Sequence, residues 1–307
     1  MGLAISIAWN AFRASTAAEI LNEVKDLGFS EIELSFNLTS RCVDDFQKLV
    51  QEGSIRITSV HNFCPIPDGL SKDEALPDVY SMASCDETIR QRSVEYTKKS
   101  IETAQRVGAR AVVLHCGRVE IPDRTRELIN LYIRGKKDSE EYQSTQSKII
   151  GDRQHAKKPF FENTLRSLEE LERFARERAI ILGVETRYYY REIPSFEEIG
   201  IILKEFKNSS IFYWHDVGHA QLMENLGFTK HKDYLSEYAT AMAGIHLHDI
   251  SGYHDHKAPL RGNFDFSIIT PYLRKETIKV IEAHFPASEK EIIKGKRFLE
   301  KIFHGKI

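Results

Sequence analysis

The sequence predicts an α/β fold in which eight parallel strands and their helices close a (β/α)8 barrel. Three observations lead there. Short apolar runs alternate with amphipathic helical stretches throughout, the pattern of a parallel sheet with helices outside. The runs number eight, as a barrel requires. Six of them end on a side chain able to ligate a metal: IRITSVH at His61, AVVLHCG at His115, ILGVETR at Glu185, IFYWHDVGH at Asp216 and His219, AGIHLHD at His246 and IKVIEAH at Glu282. A strand buried on both faces reads as a continuous apolar stretch. The C-terminal strand ends of a TIM barrel are where its chemistry sits. The 307 residues suffice for one barrel with insertions, so residues 1–307 read as a single domain.

Taken in order, the expected strands are 3–9, 31–36, 55–60, 111–115, 180–185, 211–216, 244–248 and 279–282. The first helix, 17–27, places Ile20, Val24 and Leu27 on one stripe and stops at Gly28, a residue suited to the left-handed helix end. A long helix over 87–107 stops at Gly108. Residues 164–178 carry Leu165, Leu168, Leu171 and Phe174 on one face. Residues 196–206 follow Ser195 with Glu198 three positions on, a capping box. A helix over 289–302 closes the fold. Two rim insertions are expected. The loop 62–86 after strand three holds Pro65, Pro67, Gly69 and Pro77, and irregular loops at this rim commonly bind or cover substrate. Residues 119–160 after strand four form a charged insertion with RGKKDSEE at its centre. It reads either as one or two solvated helices making a lid or as an exposed excursion without a role.

A net charge of −2 gives no global field for nucleic acid or an anionic membrane. The apolar start is too short to span a bilayer and lacks the basic flank of a signal peptide. Cys42, Cys64, Cys85 and Cys116 form no CxxC pair, which argues against a thiolate zinc site and for reduced thiols in the cytoplasm. Nucleic acid and membrane are not the expected partners, and the long outer helices leave room for a homo-oligomer.

Carboxylate oxygen and imidazole nitrogen together suit Zn, Mn, Co or Mg. Glu185, Asp216, His246 and Glu282 supply one such set from strands five to eight. Two glutamates and an aspartate converging on one rim would raise each other's pKa unless a cation held them. His248 shares a strand face with His246 and reads as a ligand, a partner of a ligand or barrel filling. Asp249 reads as a residue that orients a ligand. Arg187, Lys257 and Arg261 are candidate cations for a substrate phosphate or carboxylate. Tyr188, Tyr189 and Tyr190 read as a sugar-packing surface or as loop anchors.

At these residues the chain resembles the xylose isomerase-like TIM barrel superfamily, which includes sugar isomerases, ketose epimerases, inosose dehydratases and the endonuclease IV family. The most specific segments are HDVGHAQ, GIHLHDISGYHDHKAPLRGNFDF and IEAHFP. The resemblance implies metal binding by Glu185, Asp216, His246 and Glu282, and an acid/base pair made of Glu185 and Glu282. It places His219 in contact with substrate or metal and His256 among the substrate-binding positions. Similarity to endonuclease IV implies further zinc ligands at His61, His115, His219 and the His254/His256 pair, for up to three ions in place of one. Against the nuclease reading, His254 stands where that group has Asp, and Glu185 is followed by Thr-Arg-Tyr-Tyr. The expected function is therefore a metal-dependent isomerase or epimerase on a sugar, sugar phosphate or polyol, acting by proton transfer through an enediolate. A dehydratase would use the same parts. The alternatives are a zinc-dependent phosphodiester hydrolase and a non-catalytic metal-binding barrel.

Overall fold

The structure, a computed structural model, describes residues 2–14, 16–303 and 305. Its strands are β1 (Leu3–Ser6), β2 (Glu31–Leu34), β3 (Arg56–His61), β4 (Ala111–Leu114), β5 (Ile181–Glu185), β6 (Ile211–Asp216), β7 (Met242–Leu247), β8 (Asp249–Ser251), β9 (His254–Lys257) and β10 (Ile278–Ile281). All except β8 and β9 are parallel members of one closed barrel, in the order β1-β10-β7-β6-β5-β4-β3-β2. Closure comes from β1 and β10, which pair Leu3 with Lys279, Ala4 with Val280 and Ile5 with Ile281. β8 and β9 make a separate antiparallel hairpin directly after β7.

The helices are α1 (Ala17–Asp26), α2 (Ser40–Gln51), α3 (Glu87–Arg106), α4 (Arg124–Ile133), α5 (Glu140–Arg176), α6 (Phe196–Glu205), α7 (Val217–Asn225), α8 (His231–Tyr238) and α9 (Glu289–Phe303). The capping box expected at Ser195 and Glu198 is present, and Thr16 with Glu19 makes another. Among the described residues no helix is long and apolar enough to cross a membrane.

The two-residue period of a strand sorts the barrel into an inside and an outside. Ala4, Ala111, Val113, Trp214, Ile278 and Val280 form a buried cluster distinct from the main core between strands and helices. Trp214 is the largest of them. It fits because two neighbours lack side chains: a Cβ on Gly183 would lie 2.7 Å from its ring, and one on Gly244 closer still. Continuing each strand two residues beyond Gly183, Trp214, Gly244 and Val280 reaches Glu185, Asp216, His246 and Glu282. The barrel floor is therefore apolar and filled, and the polar groups lie on top of it.

Three expectations change. The first strand ends at Ser6, because Ile7–Trp9 turn into a 3-10 helix that Ser6 caps. The boundary drawn at residue 160 does not exist: α5 runs through it as one helix of 37 residues that includes Pro159, and the expected helix 164–178 is its second half. The charged first half is more than a solvated excursion. Tyr142 donates to the Leu226 carbonyl at 2.9 Å, and buried Arg153 pairs with Glu198 of α6 at 2.6 Å. Finally, α2, α7, α8 and the β8–β9 hairpin join the predicted elements. Residues 62–86 contain no helix or strand.

Candidate metal centre

The ligand side chains converge because each sits at the same level of an inward strand face. Asp216 and His246 are register partners across β6 and β7, and Val280, two residues before Glu282, pairs with His246. Ligating atoms of Glu185, Asp216, His246 and Glu282 all lie within 4.8 Å of one another, and all four residues are buried. His246 Nδ1 stands 2.6 Å from Glu185 Oε1, 3.0 Å from Glu282 Oε2 and 3.7 Å from Asp216 Oδ2. Its other nitrogen, Nε2, lies 3.2 Å from Glu33 on β2. Glu33 is itself fully buried and accepts from Ser59 at 2.8 Å. A carboxylate holding the far nitrogen of an imidazole, so that the near one faces the ligands, is the usual support of a metal-binding histidine.

The same arrangement recurs at three further histidines. His115 turns Nδ1 to Asp78 at 3.3 Å and Nε2 toward Glu185 at 2.9 Å. His61 Nδ1 meets the Asn62 carbonyl at 3.1 Å, and His219 Nδ1 meets the Thr186 carbonyl at 2.9 Å. Ligating atoms of His61, His115 and Glu185 form a second compact group, and those of Asp216, His219, His248 and His256 a third.

His248 resolves differently from His246. Its Nδ1 accepts the backbone N–H of His256 at 2.8 Å, so Nε2 carries the proton and donates to Asp216, 3.0 Å from both oxygens. His248 thus holds Asp216 and has no free nitrogen. Asp216 also caps α7, its Oδ1 accepting from the His219 N–H at 2.7 Å. The positive end of that helix suits a carboxylate.

The donor set fits a divalent cation. Burial by itself would push these carboxyls up, yet the neighbouring imidazoles hold Glu185, Asp216 and Glu282 well below the ordinary carboxylate range. The counterpart appears at His246: burial opposes its charge, but Glu282 and Glu33 drive it well above the usual imidazole value. His246 shares the task of offsetting Glu185, Asp216, Glu282 and Glu33 with Arg187 and His115 beside Glu185, His219 beside Asp216 and His256 beside Glu282. A divalent ion there would add the positive charge a buried carboxylate cluster favours and would leave His246 neutral.

The other expected site residues distribute as follows. Arg187 is buried and donates to Glu185 Oε2 at 2.8 Å and Glu192 at 3.1 Å, so it braces a ligand from the cavity wall. His219 lies 3.5 Å from Asp255; burial lowers its affinity for a proton, but Asp216 and Asp255 outweigh that and raise it to about 9. His256 has a left-handed φ of 49°, a conformation uncommon outside glycine, and stacks on His248 and His284 at 4.3 and 3.9 Å. His254 is exposed and, among the described residues, belongs to none of the ligand groups. Lys257 lines an adjoining cavity, and Arg261, also there, pairs with Glu291 at 2.7 Å. Asp249 accepts from the backbone of Ile250 and Phe264 and orients the loop instead of a ligand. Tyr190 stacks on Phe228, whereas Tyr188 and Tyr189 face the cavity.

That cavity, about 340 Å³, stands above the ligand set and is walled by Phe36, Pro77, Tyr188, Tyr189, Asp255 and His284 among others. A family model for the xylose isomerase-like TIM barrel matches residues 21–302. The chain belongs to that family. Compared by sequence with curated proteins, it matches none. Solved structures share the fold of this xylose isomerase-like barrel at low identity. A D-tagatose 3-epimerase-like protein is 18% identical, with a TM-score of 0.68 and 99% and 97% of the two chains covered. The 3-keto-D-glucoside 4-epimerase YcjR of E. coli is 15% identical, with a TM-score of 0.68 over 98% and 99%. An IolI protein with a bound zinc atom is 13% identical, with a TM-score of 0.69 over 100% and 99%.

Glu33 and Asp78 carry no reading in the sequence, and Asp255 and His284 stand inside the HDHK and IEAHFP segments without a role of their own. Glu33 had a signal: it sits in the strand EIEL at a position whose alternation points it inward, where a lone carboxylate needs a partner. Asp78 had none, being a loop residue whose role exists only through His115.

Proposed function

We propose that this protein is a divalent-metal-dependent isomerase or epimerase acting on a sugar or related polyhydroxylated molecule. The observation that carries the proposal is the buried group Glu185, Asp216, His246 and Glu282 under an open cavity, with Glu33 fixing His246 from behind. These four residues would hold the ion, which would supply Lewis-acid stabilisation of negative charge developing on substrate oxygen. The two glutamates divide the remaining work. Glu282 meets His246 and His256 through Oε2, which leaves Oε1 to take or return a proton at the substrate carbon. Glu185, whose Oε1 meets His246 and whose Oε2 meets Arg187 and His115, is the second acid/base group, returning the proton to the opposite face of that carbon in an epimerisation. Tyr188, Tyr189 and Phe36 give apolar faces for a sugar ring, and His219 offers a hydrogen bond to a hydroxyl.

The test is exchange of deuterium from solvent into a panel of ketoses, followed by NMR, with protein loaded in turn with manganese, cobalt, magnesium and zinc. We expect Glu282→Gln to abolish exchange even in protein that elemental analysis shows to hold its metal. Full exchange in that variant would remove Glu282 from the chemistry.

One observation favours a second reading. His61 and His115 are supported from behind as metal ligands are, and a mononuclear isomerase does not need them. They fit a multinuclear zinc phosphodiester hydrolase. Elemental analysis separates the two: about one ion per chain supports the isomerase, whereas two or three zincs together with cleavage of abasic duplex DNA would replace it.

A further inference from the structure

A second cavity adjoins the first. It measures about 480 Å³ and shares Asp255, His256 and His284 with the cavity above the ligand set. Both volumes fall within the range of ordinary small-molecule sites, roughly 300–1,000 Å³. A single sugar ring over the metal ligands would leave the second space to water.

Its lining has two notable properties. Phe285 lines it and is 65% exposed, and the ring is held by an edge contact with Phe12 at 5.4 Å. A phenyl ring kept open to water beside a polar cavity gains free energy when an apolar surface covers it. The charges around it are paired off: Arg261 meets Glu291 at 2.7 Å and Asp255 meets His256 at 3.0 Å. Only Lys257 lacks a carboxylate within ion-pair distance among the described residues. A phosphate site concentrates unpaired cations; here donors and acceptors of both signs stand around an aromatic face. That is the chemistry of a neutral polyol ring, whose hydroxyls both donate and accept and whose C–H face packs on an aromatic.

We propose that the substrate is a glycosylated sugar, with its reacting unit over Glu185, Asp216, His246 and Glu282 and a second, uncharged ring on Phe285 in the adjoining cavity. The inference rests on the sugar reading above and extends it from one ring to two. Phe285 is a specificity-determining contact and takes no part in proton transfer.

The test is binding by calorimetry to zinc-loaded full-length protein. The ligands are D-fructose, D-tagatose, D-allulose and L-sorbose, the 6-phosphate of each and the 6-O-glucoside of each. At least one glucoside should bind about tenfold more tightly than its parent ketose, the scale of one aromatic contact. Phe285→Ala should remove that margin without changing affinity for the parent, and Phe285→Tyr should retain it. Equal affinity for parent and glucoside throughout the panel, or a margin that survives in Phe285→Ala, overturns the second-ring site and leaves the isomerase proposal standing. A margin that appears only for the phosphates overturns it in favour of an anion held by Lys257. Phe285→Ala that alters the sedimentation coefficient but not the margin shows that another copy of the chain covers the ring, and this too overturns the site. If no member of the panel binds, the sugar reading itself fails, and the inference with it.

Discussion

Glu33 tests the support of the centre without touching the ligands themselves. Glu33→Gln keeps the shape but weakens the hold on His246 Nε2, and loss of such a partner typically lowers metal affinity about 10–100-fold. Competition with a fluorescent chelator should show that drop, with an unfolding midpoint in excess metal close to the wild type. A second test concerns His231, buried in α8, where Nε2 lies 3.0 Å from His215 Nε2. Burial and then His215 hold its folded pKa well below the ordinary 6.5. The unfolded chain therefore binds the extra proton first, and the stability this group contributes is present above pH 6.5 and is lost as pH falls below it. His231→Phe should cost about 1–3 kcal/mol at pH 7.5 by orphaning His215. Urea midpoints should show the gap between variant and wild type narrowing at pH 5.5; a constant gap would remove His231 from the acid response. At this scale the residues that converge, Glu185, Asp216, His246 and Glu282, were readable, because a charged group at the end of an apolar strand is a local anomaly. Their supports were not: Glu33 and His246 are 213 positions apart, and only the closed barrel brings them together.

The barrel strands show how position decides the effect of one methyl group. Gly244→Ala pushes a Cβ into the ring of Trp214 with no room to yield, a strain of about 1–3 kcal/mol that urea unfolding would register as a lower midpoint. Gly151→Ala is the opposite case. Gly151 lies exposed within α5 with nothing within 4 Å of an added Cβ, so the change should stabilise by about 0.5–1 kcal/mol. Both residues look alike in the sequence. Strands and most long helices were legible because their periods of two and 3.6 residues are local properties. The continuity of α5 was not: charges dilute the stripe in its first half, Pro159 reads as a stop, and the contacts of Tyr142 and Arg153 that hold it are made with residues far along the chain. The β8–β9 hairpin was equally hidden, since HDHK has no strand propensity and is ordered by its pairing and by His248.

For the molecule as a whole, the proposed metal site would tie folding to metal. Glu33, Glu185, Asp216 and Glu282 are buried together, so a cation bound among them would add favourable charge pairing to the folded state alone. Metal at about 100 times its dissociation constant should add about 2.7 kcal/mol. Melting with and without a chelator should reveal a lower midpoint after removal, and no difference would mean that the centre takes no ion. Because Trp214 and its neighbours fill the barrel below, metal, water and sugar would all reach the centre from the cavity side. A guest seated over the ligands then blocks the exit of the ion beneath it. The consequence is kinetic imprisonment: zinc should escape to a chelator more slowly from protein saturated with a sugar that binds than from protein alone. That lag offers a way to recognise the natural ligand before any turnover is seen.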